Sequence, residues 1–187
     1  MVGLGNPGPD YADHRHNVGF WLLDRLAQDH HAKLRQEKKF HGLIARLPPT
    51  AGDLWLLQPT TYMNDSGRAV GAIAQFYRLQ PDQILVVHDD LDLPPGTVRL
   101  KQCGGHGGHN GLRDIIRVLG VQAFPRLRIG IGHPGHRSAV LKYVLSAPGR
   151  ADADRLQAAL DLIVGVWHRI CTGDWQAAMQ ILHTGHN

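Results

Sequence analysis

Four stretches of this chain bring together residue types that hold polar ligands and move protons. The first is Gly104-Gly105-His106-Gly107-Gly108-His109-Asn110-Gly111-Leu112-Arg113-Asp114. Its glycines let backbone amides approach a ligand and take positive φ. His109 and Asn110 add polar side chains just ahead of Leu112, Ile115, Ile116 and Leu119, which recur at helical spacing. A flexible polar loop feeding a helix N-terminus is where oxygen-rich ligands bind. The second stretch is Gly5-Asn6-Pro7-Gly8, followed by Arg15-His16-Asn17 and Gly19; the third runs from Pro59 through Met63 and Asn64 to Gly67; the fourth runs from His88-Asp89 to Pro95-Gly96.

An imidazole titrates near neutrality and is a natural proton acceptor. His16 stands out among thirteen histidines for its company, with Asn6 ten residues earlier and Asn17 and Gly19 just after. Its spacing alone serves equally well for a helix-start histidine satisfied by backbone. A carboxylate on one ring nitrogen would fix the tautomer and stabilise the imidazolium, as in hydrolase triads. Asp89 is the candidate, while Asp90 and Asp92 read as turn residues. Asn6, Asn64 and Asn110 supply amides that both donate and accept, suited to gripping a peptide backbone or an oxyanion without a net charge. Each could also be a turn residue, Asn6 before Pro7 especially. No serine or cysteine sits in a nucleophile elbow, so direct attack by water is the simpler chemistry.

These side chains need a scaffold that gathers distant segments. Met1-Val2 reads as the stub of a strand ending in a glycine turn. Val18, Trp21, Leu22 and Leu26 fall at helical spacing. Leu43–Leu47 and Leu54–Gln58 read as strands around a turn at 48–53 rich in Pro and Gly. Ser66 is placed to cap a helix carrying Ala69, Val70, Ile73, Ala74 and Tyr77. Ile84–Val87 reads as a central strand buried on both faces, Thr97–Lys101 as a strand after the Pro94-Pro95-Gly96 turn, and Arg126–Ile131 as an alternating strand. Leu156, Leu160, Ile163, Trp167 and Ile170 line one stripe of an amphipathic helix, and Asp174 is placed to cap a short last one. Interleaved strands and helices predict an α/β fold: a single domain over 1–187, three layers α/β/α, with a twisted mixed, largely parallel sheet. Ligands in such sheets bind beyond the carboxyl ends of strands. The turn after Val2 and the His88-Asp89 step both lie there, which puts His16 and Asp89 within reach of each other.

Composition sets bounds. The chain has 187 residues, 43% hydrophobic and 19% charged, with 22 glycines, ordinary for a globular protein with a substantial core. Its apolar runs are far shorter than the ~20 residues of a membrane span, and no secretory leader pattern is visible at Met1, so a cytoplasmic, membrane-free protein is expected. A net charge of +4 and a pI near 9.3 lean toward an anionic partner. Cys103 and Cys171 form no C-x-x-C pair and read as reduced thiols.

The four stretches, in this order and spacing from Met1 to about Val144, resemble bacterial peptidyl-tRNA hydrolase. The resemblance implies ester cleavage between a peptide carbonyl and a ribose hydroxyl of tRNA, without cofactor or metal, by a monomer. It makes His16 the catalytic base, Asp89 its partner and Asn6 part of the catalytic set. Asn64, Asn110, Met63, Tyr11 and His109 become substrate-binding residues. tRNA phosphates would lie along Arg99 and Lys101 on one strand face and Arg126 and Arg128 on another, with Arg113 and the amides of the glycine loop nearby. One departure is His14, where the family usually has Thr. Three other readings compete. Gly3-x-Gly5-x-x-Gly8 with Asp24 formally matches a dinucleotide fingerprint, but such a lone match is weak. His106 with His109, or His14 with His16, could ligate zinc but lacks a third ligand at a recognisable spacing. On charge alone the chain also reads as a noncatalytic RNA-binding module; the complete set of His16, Asp89 and three asparagines argues for catalysis.

Overall fold

The structure is a computed structural model and describes residues 1–48 and 54–184. Among the described residues seven strands form one sheet in the order β2-β3-β4-β1-β5-β7-β6. They are β1 (Val2–Gly3), β2 (Arg35–Glu37), β3 (Gly42–Arg46), β4 (Trp55–Pro59), β5 (Val86–Asp90), β6 (Val98–Lys101) and β7 (Arg126–Gly130). The centre is parallel, β4-β1-β5-β7, and the flanks are antiparallel, β2-β3-β4 and β7-β6. The expected mixed, largely parallel sheet is therefore present. The segment 49–53, which holds most of the expected turn before β4, lies outside the described residues.

Among the described residues the α-helices are α1 (Val18–Asp29), α2 (Ser66–Tyr77), α3 (Asn110–Leu119), α4 (Val140–Val144), α5 (Arg150–Cys171) and α6 (Trp175–Thr184). Strand alternation divides the core in two. Val87, Leu127 and Ile129 pack with Leu22, Leu26, Leu156, Ile163 and Leu182, which places α1, α5 and α6 on one face. Val2, Leu57 and Val86 pack with Val70, Ile73, Leu112 and Ile115, which places α2 and α3 on the other. These are the three layers.

Two local expectations need correction, and a third gains detail. The strand expected at Ile84–Val87 runs instead from Val86 to Asp90, because its ladder with β7 continues to Asp90↔Gly130. His88 and Asp89 are thus inside the strand, and alternation points them to opposite faces. The strand at the N-terminus is short but central: Val2 pairs with Leu57 on one side and Val86 on the other. Ser66 does not cap α2. It is the first helical residue, and its hydroxyl donates back to the Met63 carbonyl at 2.8 Å. The Asp174 cap is present, with Ala177 N–H reaching its Oδ1 at 3.4 Å.

Two glycines are needed where β1 meets α1. A Cβ on Gly3 would sit 2.3 Å from the Gly19 carbonyl oxygen, and one on Gly19 would sit 2.5 Å from the Leu4 nitrogen. This contact brings the turn containing His16 down against the end of β5.

Candidate active site

The site lies at the carboxyl ends of β1, β4 and β5. Arg15–Asn17 form a single 3-10 turn leading into α1. His16 Nδ1 lies 2.8 Å from Asp89 Oδ1, although the residues are 73 apart in sequence. The Asp89 side chain is 2% exposed and that of His16 11%. Only the carboxylate can accept, so Nδ1 carries the proton and the Nε2 lone pair is left for another partner. Burial pushes the His16 pKa down, but the charge and hydrogen bond of Asp89 outweigh it, and the net shift is upward. Burial raises Asp89 in turn, yet the neighbouring imidazoles of His16 and His109 hold its carboxyl well below the usual range.

The same Asp89 oxygen meets a second imidazole, His109 Nε2, at 3.0 Å. His109 is the N-cap of α3, and its Nδ1 accepts from Gly111 N at 3.1 Å and Leu112 N at 3.3 Å. The cap forces the His109 proton onto Nε2, which donates to Asp89. His88 packs behind, its ring centre 5.0 Å from that of His109. Its Nδ1 donates to the Asp89 carbonyl at 2.6 Å. Burial, then the proximity of His109, lowers the His88 pKa to about 3, so it stays neutral in the physiological range.

His16, Asp89 and His109 place their donor atoms close enough together for one metal ion. The capped His109 has no lone pair at Nε2 to give it: freeing one would turn Nδ1–H against two backbone N–H donors. The donor set therefore fits a hydrogen-bonded triad better than a metal centre. His106 is engaged elsewhere, its Nδ1 accepting from Gly108 N at 3.0 Å.

Asn6 is held from three sides. Its backbone exchanges two hydrogen bonds with the Asn17 side chain, at 2.9 and 3.0 Å, and its Oδ1 accepts from Met63 N at 2.8 Å. Because a backbone N–H faces the oxygen, the orientation of the Asn6 amide is settled chemically. Asn110 Oδ1 accepts from the Arg113 guanidinium at 2.9 Å. Asn64 lies in the 3-10 turn Met63–Asp65 ahead of α2. Met63 itself is 4% exposed and belongs to the core cluster under α2. Tyr11 makes edge contacts with His14 and Tyr62, at 5.5 and 6.2 Å between ring centres.

The expected phosphate residues are not one free stripe. Arg99 faces Arg128, and Lys101 faces Arg126, across β6 and β7. Arg126 is 2% exposed and donates to the Gly105 and Gln122 carbonyls, so it braces the glycine loop from inside. Arg128 Nε is 2.6 Å from Asp90 Oδ2, Arg99 donates to the Val98 and His183 carbonyls, and Arg113 is bound to Asn110. Lys101 is exposed at the strand end. Some loop amides are also taken: Gly104 N donates to the Gln122 carbonyl and Gly108 N to His106. The dinucleotide reading fails on packing. Gly3 meets Gly19, a Cβ on Gly5 would sit 2.7 Å from the Phe20 ring, and α1 begins only at Val18, too late to receive a pyrophosphate.

Two residues were not singled out from sequence. Asn17 braces Asn6, and its only signal was its place beside His16. Tyr62, 60% exposed, stands next to Met63-Asn64 and extends the aromatic edge begun by Tyr11.

The model of the family described as Peptidyl-tRNA hydrolase matches residues 1–187. A peptidyl-tRNA hydrolase of Nitrosospira multiformis is 55% identical over 184 residues, covering 98% of this chain and 96% of the relative. One of Coxiella burnetii is 51% identical over 184 residues with the same coverage. The crystal structure of peptidyl-tRNA hydrolase from Acinetobacter baumannii superposes with a TM-score of 0.94 at 43% identity, covering 98% of this chain and 93% of that one. The chain belongs to the peptidyl-tRNA hydrolase family.

Proposed function

We infer that this chain hydrolyses the ester bond between peptide and tRNA, releasing free tRNA and peptide for reuse in translation, with His16 as general base on water. The observation that carries the role of His16 is its 2.8 Å contact with Asp89, which orients Nε2 as the proton acceptor. Water attacks the peptide carbonyl carbon while its proton passes to Nε2. The tetrahedral intermediate collapses by expelling the ribose oxygen, which takes that proton back from the imidazolium. No covalent acyl-enzyme is needed. Asp89 stabilises the charged ring between the two transfers.

Asn6 is the best-supported oxyanion donor. Its oxygen is consumed by Met63 N–H, so its Nδ2 hydrogens are what it can turn to substrate. Asn110 is in the same position, its oxygen held by Arg113. Asn64, Asn110 and Tyr11 hold the peptide and acceptor end. Met63 contributes its backbone to Asn6 rather than an exposed side chain to the pocket. Lys101 is the strongest phosphate contact. Arg99 and Arg128 reach phosphates only by exchanging existing partners, and Arg113 acts first through Asn110. Residues 1–187 function as one unit, a monomer working in the cytoplasm without a resident metal. Among the described residues no helix is long and apolar enough to cross a membrane.

The test is hydrolysis of an N-blocked aminoacyl-tRNA, with chelator, by wild type and His16→Ala. Turnover by wild type, reduced at least about 1,000-fold in the variant, is expected. A folded variant that retains more than a tenth of the rate would remove His16 as the base. A folded wild type that binds tRNA without turnover would favour the RNA-binding reading.

A further inference from the structure

We propose that His109 is a positioning residue that sets the basicity of His16 through the oxygen of Asp89 that the two imidazoles share. The inference rests on the role of His16 as base and adds a second residue that tunes it.

Four observations carry it. His16 Nδ1 and His109 Nε2 reach the same atom, Asp89 Oδ1, at 2.8 and 3.0 Å. The His109 side chain is 8% exposed, so the second bond is shielded from exchange with bulk water. Its tautomer is fixed from the far side by Gly111 and Leu112 N–H. Those donors occupy the Nδ1 lone pair, so Nε2 is the N–H that meets Asp89. The rings of His16 and His109 are 5.0 Å apart at 45°, close enough that a charge on one raises the cost of a charge on the other.

The direction follows from competition for one oxygen. A carboxylate that already accepts a strong N–H is a weaker partner for an imidazolium. His109 therefore holds the His16 pKa lower than Asp89 alone would. A base paired with an unshared buried carboxylate would remain protonated further into the neutral range and would be less available to water. The groups facing this pair can be named. Asp89 and His88 come from β5, and His88 stays neutral. On α3, the Arg113 guanidinium is turned to Asn110. On the His16 side, the Arg15 guanidinium is turned to Ser146, Ala147 and Asp152. In the glycine loop, His106 is turned to Gly108.

The substitution that isolates this role is His109→Asn. Asparagine is among the best N-cap residues, so it keeps the bonds to Gly111 and Leu112, but it is too short to donate to Asp89 as well. His109→Ala, which loses both, is the control for the cap. The readouts are the His16 ring titration by 1H–15N correlation NMR and the acid limb of kcat/KM against pH on N-blocked aminoacyl-tRNA. For His109→Asn, both should move to higher pH by about half to one unit, with the melting temperature close to wild type. At pH well above the limb, kcat should recover to within about threefold of wild type. An unmoved His16 titration would overturn the proposal, leaving His109 as a helix cap. A drop in kcat of similar size at every pH with an unmoved limb would also overturn it, making His109 a substrate contact. Failure of the underlying reading would look different: His16→Ala would keep its activity whatever residue stood at 109.

Discussion

Asp89→Asn separates the charge of this side chain from its shape. The two imidazole N–H groups converge on one Asp89 oxygen, and a neutral amide oxygen can accept both. The variant should therefore keep the His16 tautomer and the packing, and lose only the negative charge. Two charges 3–4 Å apart attract by about 4–6 kcal/mol at an effective dielectric near 20. The cost of keeping a buried carboxylate charged cancels part of this, leaving about 2–4 kcal/mol of imidazolium stabilisation. If that stabilisation is made mainly in the transition state, kcat should fall about 30- to 1,000-fold. The acid limb should also move down, because Asp89 is what outweighs burial at His16. Single-turnover hydrolysis of N-blocked aminoacyl-tRNA between pH 5 and 9 reads both quantities. A variant within about threefold of wild type would refute the pairing argument, as would one whose acid limb moves up.

Gly19→Ala should cost about 3 kcal/mol or more in denaturant unfolding, because the new methyl would lie 2.5–2.7 Å from backbone atoms of Leu4 and Val87. A loss under about 1 kcal/mol would show that the contact between β1 and α1 can relax. Lys101→Ala should raise KM about 3- to 10-fold, leave kcat unchanged and reduce the slope of log affinity against log salt by about one; an unchanged slope would remove Lys101 from the phosphate path. His88 has a folded pKa of about 3 against an ordinary 6.5. The stability it confers is complete above pH 6.5 and is lost as pH falls toward 3, by up to about 1.4 kcal/mol per pH unit. His88→Gln should flatten that slope in denaturant titrations at several pH values, and parallel curves would contradict the assignment.

The legible part of the fold was the part governed by local pattern. Val18, Leu22 and Leu26, and Leu156 through Ile170, lie on the buried faces their spacing implied. Apolar periodicity could not fix where β5 ends, because its last residues are His88, Asp89 and Asp90. These polar residues stay in the strand because their backbone pairs with β7 and because Asp89 bonds to His16 and His109 beyond the sheet. The meeting of His16 and Asp89 could be read from strand ends. The two-sided use of Asp89 could not, because imidazole is outside the usual N-cap repertoire and nothing in the glycine loop marks His109 as a cap. The basic residues misled for a related reason. Alternation correctly paired Arg99 with Lys101 and Arg126 with Arg128, but it carries no information about carbonyls and carboxylates brought up from elsewhere. Those partners turn Arg126 inward to the glycine loop and tie Arg128 to Asp90.

The choice of partners for Asp89 also bears on how the site stays poised. A buried carboxylate needs compensation, and an arginine or lysine would give it a full positive charge in every state. Here the compensation comes from two imidazole N–H donors. On the proposed mechanism, one of them becomes a cation only while water is attacking. The ion pair is then strongest when charge develops and weakest in the resting enzyme, which is the condition for an interaction to speed the reaction rather than merely hold the ground state. That condition requires the second ring to remain neutral when the first is charged. The backbone donors at Gly111 and Leu112 already occupy the Nδ1 lone pair of His109, and burial holds His88 neutral. A mutation that freed either histidine to take a proton would place a standing positive charge beside Asp89. It would weaken the response of Asp89 to His16 without touching either residue of the pair.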